Sequence, residues 1–241
     1  MDQLTQTFEE RLQEIEAYLD LLEVLERQVQ KGPPKIGDAA ITAQQQKILY
    51  SSVYLQLHNL VEATVTWCVD AVVAAAADKG RWRPADLVES LRREWVRSTA
   101  RTHLELNQDH RLEAAVTLCE HLVQALPLVD WSVDGGRRGN WADEEIKNIT
   151  TRLGCELHIS NDVYKGIKRP IREDKGSLVL VRYLRNKLAH GSLSFTECGD
   201  GVTVVDLRDL KDRTARYLRE VVAAFRSYID GYEFLIPARR P

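Results

Sequence analysis

Arg185-Asn186-Lys187-Leu188-Ala189-His190-Gly191 lies near the three-quarter point of a chain of 241 residues. It closes an apolar run, Leu178-Val179-Leu180-Val181, that continues through Tyr183 and Leu184. Apolar residues at 180, 181, 184 and 188 recur at helical spacing, which predicts a helix with one buried face. Gly191 stands where a helix-ending residue belongs, and from Ser192 the pattern changes to strand-like alternation. His190 then falls in the last turn, with Arg185 little more than one turn upstream. Together with Asn186 and Lys187 they form a compact cationic cluster at the end of a buried helix, and we read the rest of the chain as its scaffold.

Spacing by itself carries little. Allowing four to six residues between Arg and His, Arg97…His103 and Arg152…His158 also match. The context of Arg185…His190 differs: an Asn follows the Arg, a small Ala precedes the His, and a Gly and a helix end come after it. Two readings stay open on the residues alone. In one, His190 caps the helix and Arg185 snorkels to solvent. In the other, the cluster handles a phosphate.

Arg-Asn-Lys-Leu-Ala-His-Gly resembles the signature of HEPN (higher eukaryotes and prokaryotes nucleotide-binding) domains, in which an Arg, a polar residue and a short spacer precede a His. Other stretches resemble the MAE-type HEPN-like nuclease family. They are His58-Asn59-Leu60-Val61-Glu62-Ala63-Thr64, then Gly139-Asn140-Trp141-Ala142-Asp143 with Ile146 and Gly154, then Leu193-Ser194-Phe195. The likeness runs from about residue 45 onward. It implies a mostly α, HEPN-like helical bundle, here with one small β-hairpin after the motif helix. It also implies that Glu62, with Asn59 on the same helix face, supports the guanidinium of Arg185.

Length and composition fit a single domain over 1–241. We divide it into an acidic helical arm at 1–31 and a helical core at 40–235. Hydrophobic residues make up 44% of the chain, and Gly (13) and Pro (7) are few, which favours helices. The four Cys, at 68, 119, 155 and 198, form no Cys-x-x-Cys pair, so a reduced compartment is expected and neither a zinc site nor another cofactor is suggested. The N-terminus lacks a signal-peptide pattern, and the most apolar window, 65–77, contains Asp70 and reads as a buried helix too short for a bilayer. A cytoplasmic protein without a membrane partner is the expectation. Net charge is −3, which is no polyanion-binding signature, yet its distribution is uneven. Residues 1–30 sum to −6, whereas residues 160–192 sum to +5 around the motif, where a polyanion footprint is needed.

Along the chain, Phe8, Leu12, Ile15, Leu19, Leu22, Leu25 and Val29 form a narrow seam on a helix from Leu4 to Val29, ended by Gly32-Pro33-Pro34. A second helix runs from Ala40 to Asp78. Shorter helices are expected over 84–98, 110–126 and 142–153, with a polar Gly-rich loop at 132–141 and a basic loop at 161–175. Arg92, Arg93, Arg97 and Arg101 offer a basic stripe, while Trp82 and Trp95 suit a core better than a stacking platform. Gly199-Asp200-Gly201 between two apolar runs predicts a hairpin over 193–205. A last amphipathic helix covers 207–232.

RNA carries its own nucleophile, the 2′-hydroxyl. Internal transesterification needs a proton moved off that hydroxyl, charge stabilised on the phosphorane and a proton delivered to the 5′-oxygen. His190 suits proton transfer near neutral pH and Arg185 suits charge stabilisation. Asn186, Lys187 and Arg182 are candidates to bind RNA or orient the phosphate. No carboxylate cluster suggests a metal, which fits a metal-independent reaction. By resemblance, two motif helices meet in a homodimer and leave 2′,3′-cyclic phosphate and 5′-hydroxyl ends. A toxin or antiphage role, with an antitoxin or regulatory protein as partner, is implied by the family alone. The alternative class is a non-catalytic helical module that binds RNA, a nucleotide or a protein.

Overall fold

The computed structural model describes residues 3–29, 32–102, 105–129, 131–134 and 140–241. It is mostly α, 70% helical, as expected for the class. In chain order, the described residues form α1 (Gln3–Val29), β1 (Lys35–Ile36), β2 (Ala39–Ala40), α2 (Ala43–Ala77), α3 (Glu89–Thr99), α4 (Gln108–Val123), α5 (Asp143–Leu153), α6 (Asn161–Lys168), α7 (Ser177–Ala189), α8 (Phe195–Cys198) and α9 (Val204–Asp230). Residues 135–139 of the Gly-rich loop, Gly139 of the quoted match included, lie outside the described residues, as does His103.

The chain divides into two compact units. One comprises Met1–Thr64, Asn140–Asp143 and Ile159–Glu220; the other comprises Val65–Gly139, Glu144–His158 and Val221–Pro241.

In the first unit, α1 buries Phe8, Leu12, Ile15, Leu19, Leu22 and Leu25 on one face. The seam stops there, because Val29 is exposed. Four acidic residues of α1 are paired with basic residues of α9. Arg208 of α9 reaches Glu16, Asp20 and Glu23 at 3.2, 2.6 and 2.8 Å, and Arg219 holds both carboxylate oxygens of Glu9 at 2.7 and 3.0 Å. Lys211, itself buried, also pairs with Glu16. Burial behind apolar seams brings α1 and α9 together, and these pairs select their register.

Two expectations about this unit are corrected. The hairpin over 193–205 does not form; the two-stranded hairpin is β1–β2, pairing Lys35 with Ala40 and Ile36 with Ala39 around Gly37-Asp38. Gly37 has φ +59, the conformation such a two-residue turn requires. At 193–205, two helix starts compete with the alternation and win. Ser194 accepts from the Glu197 amide while Glu197 accepts from the Ser194 amide, and Thr203 and Asp206 make the same reciprocal pair. The second correction is the basic loop at 161–175, whose first half is α6. Val163 and Ile167, one turn apart, are buried while the Lys residues face outward, so the charge obscured a short amphipathic helix.

In the second unit, α3 and the segment after α9 are tied by Val88 N–H to Phe234 O at 3.0 Å and Ile236 N–H to Asp86 O at 2.9 Å. Tyr228 donates its hydroxyl to the Leu153 carbonyl at 2.6 Å. Glu94, 3% exposed, receives Arg97 at 2.8 Å and Arg152 at 2.6 Å. Trp82 and Trp95 are core residues.

The apolar window at 65–77 belongs to the 35-residue α2, whose best 18-residue stretch has a mean hydropathy of 1.6. By length and composition, then, this helix is not too short to span a bilayer. Its Val53, Leu57, Leu60, Val61, Val65 and Val72 are nevertheless buried within the protein. All four Cys are free thiols, three of them buried. Burial pushes the thiols of Cys155 and Cys198 up to about 12 and about 11, so neither is poised as a nucleophile.

Candidate active site

The motif helix α7 starts against α6. A Cβ on Gly176 would lie 2.0 Å from the Ile167 carbonyl oxygen, so only glycine permits this approach. The face with Ser177, Leu178, Leu180, Val181, Leu184 and Leu188 is buried, as the periodicity predicted. At the far end Gly191, with φ +68, donates to Leu188 O at 3.2 Å and Ser192 donates to Lys187 O at 3.0 Å. This double closure, to which Ser192 Oγ adds a bond to Lys187 O at 3.2 Å, satisfies the terminal carbonyls without the His190 side chain. His190 sits at the C-cap, and its side chain is exposed and not needed to end the helix.

An open pocket of about 350 Å³ lies along one flank of α7. Val179, Arg182, Tyr183, Asn186, Lys187 and His190 line it together with Lys175 and Ser192. The six helical residues recur at three- and four-residue steps, so they share a face by helix geometry. Arg185 does not line the pocket. Five residues from His190 it is rotated by roughly 140° around the axis, at about 100° per residue.

Arg185 is joined to the pocket through Asn186. Its Nη1 donates to Asn186 Oδ1 at 3.0 Å, and Asn186 Nδ2 donates to Asn140 Oδ1 at 3.1 Å. An arginine has only donors, so the Asn186 oxygen must face it and the amide orientation is determined. Arg182 donates to the Asn140 carbonyl at 3.3 Å. Asn140 is held in place by Trp141, Ala142 and Asp143, all buried, with Asp143 paired to Lys168 at 2.6 Å. Asn140 carried no role in the sequence reading. Its signal was its place in the second quoted stretch.

The support expected from Glu62 takes another form. No Arg185–Glu62 ion pair exists among the described residues. The Glu62 carboxylate instead lies 3.4 Å from His58 Nε2, without the alignment of a hydrogen bond. His58 is one turn back on α2 and 1% exposed. Burial, and then the positive charge of Arg185, hold the His58 pKa below its ordinary value, with Glu62 opposing. Helix geometry explains the exchange, since an i, i+4 neighbour reaches the carboxylate first. Asn59 is exposed, and its side chain makes no hydrogen bond among the described residues.

His58 gives a pH prediction. Its folded pKa is depressed, so the unfolded chain binds more protons near and below the ordinary pKa of 6.5. Stability that is present above pH 6.5 is therefore lost as pH falls toward the folded pKa. Denaturant melts of the wild type from pH 7 to 5 should show that decline, and His58→Gln should flatten it. An equal slope in both proteins would refute the assignment.

The other two Arg…His pairs are spent elsewhere. Arg97 and Arg152 both bind Glu94, and His158 is exposed. Arg93, of the expected basic stripe, pairs with Glu89 at 2.6 Å. Among the described residues no three His, Cys, Asp or Glu side chains are grouped as a metal would need.

The chain is of the HEPN class, as the motif implied. The model of the MAE_28990-like HEPN family matches residues 1–234, and the chain belongs to that family. No curated protein and no solved structure matched it.

Proposed function

We propose that this chain is a metal-independent endoribonuclease acting through the 2′-hydroxyl of its substrate. The observation that carries this reading is that His190, a proton-transfer group, shares one pocket with Arg182, Asn186 and Lys187. His190 moves a proton while the 2′-oxygen bonds to phosphorus. The bond from phosphorus to the 5′-oxygen breaks and that oxygen gains a proton, leaving a 2′,3′-cyclic phosphate and a 5′-hydroxyl. Arg185, with Asn186 as its link to the pocket, stabilises the phosphorane charge, and Arg182 and Lys187 bind the strand. One His and one Arg are few groups for acid, base and charge stabilisation together. In our reading a second copy contributes its own motif helix to a composite site. A cytoplasmic toxin or antiphage effector, held by an antitoxin or regulator, is the role family membership suggests.

A second reading, a non-catalytic module for RNA, a nucleotide or a protein, is favoured by one observation: Arg185 bonds Asn186 and stays out of the pocket lining. Incubating purified protein with mixed single-stranded RNA in EDTA separates the two. Cyclic-phosphate ends are expected from the nuclease, and binding without cleavage from the module. Sedimentation at micromolar concentration tests the dimer, since a fully active monomer contradicts a composite site.

A further inference from the structure

The pocket carries two parallel rows on α7. Arg182, Asn186 and His190 step by four residues, and Val179, Tyr183 and Lys187 form the next row. The proposed mechanism uses the first row and Lys187, and leaves Tyr183 and Lys175 without a task.

We propose that the Tyr183 edge of this pocket is a second phosphate subsite, where Lys175 and Lys187 bind the phosphate next to the scissile one and the Glu173 carboxylate competes for the same cations. The inference rests on the reading that the pocket binds RNA.

Lys175 Nζ lies 4.3 Å and Lys187 Nζ 4.7 Å from the Tyr183 ring centroid, so the two ammonium groups are within about 9 Å of each other. The electron-rich ring face gathers two cations that would otherwise repel. Lys175 Nζ also lies 3.9 Å from a Glu173 carboxylate oxygen and donates to the Glu173 carbonyl at 3.1 Å. Tyr183 first, then Lys187, Lys175 and Arg172, hold the Glu173 carboxyl below its ordinary range. A carboxylate therefore already sits beside Lys175 at this edge, and a phosphate oxygen can take the same kind of contact from the two ammonium groups.

The turn that carries Glu173 supports a specific role for it. Arg172 and Lys175 are bridged across Glu173 and Asp174, with Lys175 N–H to Arg172 O at 3.0 Å and Ile171 N–H to Lys175 O at 2.9 Å. Glu173 and Asp174 both have positive φ, 49° and 54°. Such a turn ordinarily takes Asn-Gly, and two non-glycine residues there store strain. It sets Lys175 and the carboxylate together at the pocket edge. Because the two rows run side by side, a strand that presents consecutive phosphates can engage both. The substrate class proposed for the subsite is therefore a strand.

The test reads binding by fluorescence anisotropy. The probe is an RNA oligonucleotide with a single 2′-deoxy residue at the scissile position, so cleavage does not intervene. A second probe carries a neutral methylphosphonate linkage beside that position, placed on either side in turn. Glu173→Gln should bind the charged strand about 1.4- to fivefold more tightly, the range for removing one exposed competing charge. Lys175→Gln should weaken binding and lower the slope of log K against log salt by about 0.7, the value for one phosphate of a single strand. One of the neutral linkages should weaken the wild type but not Lys175→Gln. Unchanged or weaker binding by Glu173→Gln, or an equal cost of both neutral linkages in wild type and Lys175→Gln, overturns the subsite while strong oligonucleotide binding leaves the RNA reading standing. If no strand binds at all, both fall together.

Discussion

His190→Ala is expected to cleave RNA about 10²–10⁴-fold more slowly than the wild type with little change in RNA affinity. The structure separates this effect from stability. The end of α7 is closed by the amides of His190, Gly191 and Ser192, none of which involves the imidazole, and the side chain is exposed. Alanine keeps those amides, so the variant should fold and melt like the wild type. Single-turnover cleavage together with anisotropy on the same RNA checks the prediction. A strand with 2′-deoxy at the scissile nucleotide should bind and resist cleavage, because the nucleophile is missing. Near wild-type cleavage by folded His190→Ala, or cleavage of the deoxy strand, would rule the mechanism out. If His190 only caps the helix, substitution shifts the melting temperature slightly and leaves the rate alone.

Arg185→Ala should cost on the order of 10²–10³-fold in rate, as expected for loss of one preorganised charge at a developing oxyanion. Part of that loss should run through Asn186. Without Nη1 on its Oδ1, the Asn186 amide keeps only the bond to Asn140 and is free to turn. Arg185→Lys should recover little, because an ammonium cannot hold Asn186 and a phosphate oxygen at once with the geometry of the planar fork. The loss should fall on kcat more than on KM, since Arg182 and Lys187, which line the pocket, remain. A large KM increase at unchanged kcat would show instead that Arg185 serves ground-state binding.

Much of this was legible locally. The seam from Phe8 to Leu25, the buried face of α7 and its closure at Gly191 depend on side-chain periodicity and on one residue's φ, which neighbouring residues specify. Elements failed where two local signals overlapped. At 193–205, alternation and Gly-Asp-Gly pointed to a hairpin while Ser194…Glu197 and Thr203…Asp206 pointed to helix starts; the capping pairs satisfy amides that a free two-stranded hairpin would leave exposed to water. At 161–168, eight residues are too few for periodicity to stand out against the Lys residues.

The sequence by itself determined a mostly helical chain, the helix on which the cationic cluster sits and the residue at which that helix ends, because each follows from contacts within a few residues. Tertiary structure decided which charges are available. Three Arg…His pairs had similar spacing; Arg97 meets Glu94 within its own helix, but only packing brought Arg152 to Glu94 across 58 residues and left His190 in an open pocket. It also brought Asn140 to Asn186 across 46 residues and tied acidic residues of α1 to Arg208 and Arg219. Hydrogen bonds and ion pairs between distant segments depend on where the apolar faces dock, and no short window of sequence contains that information.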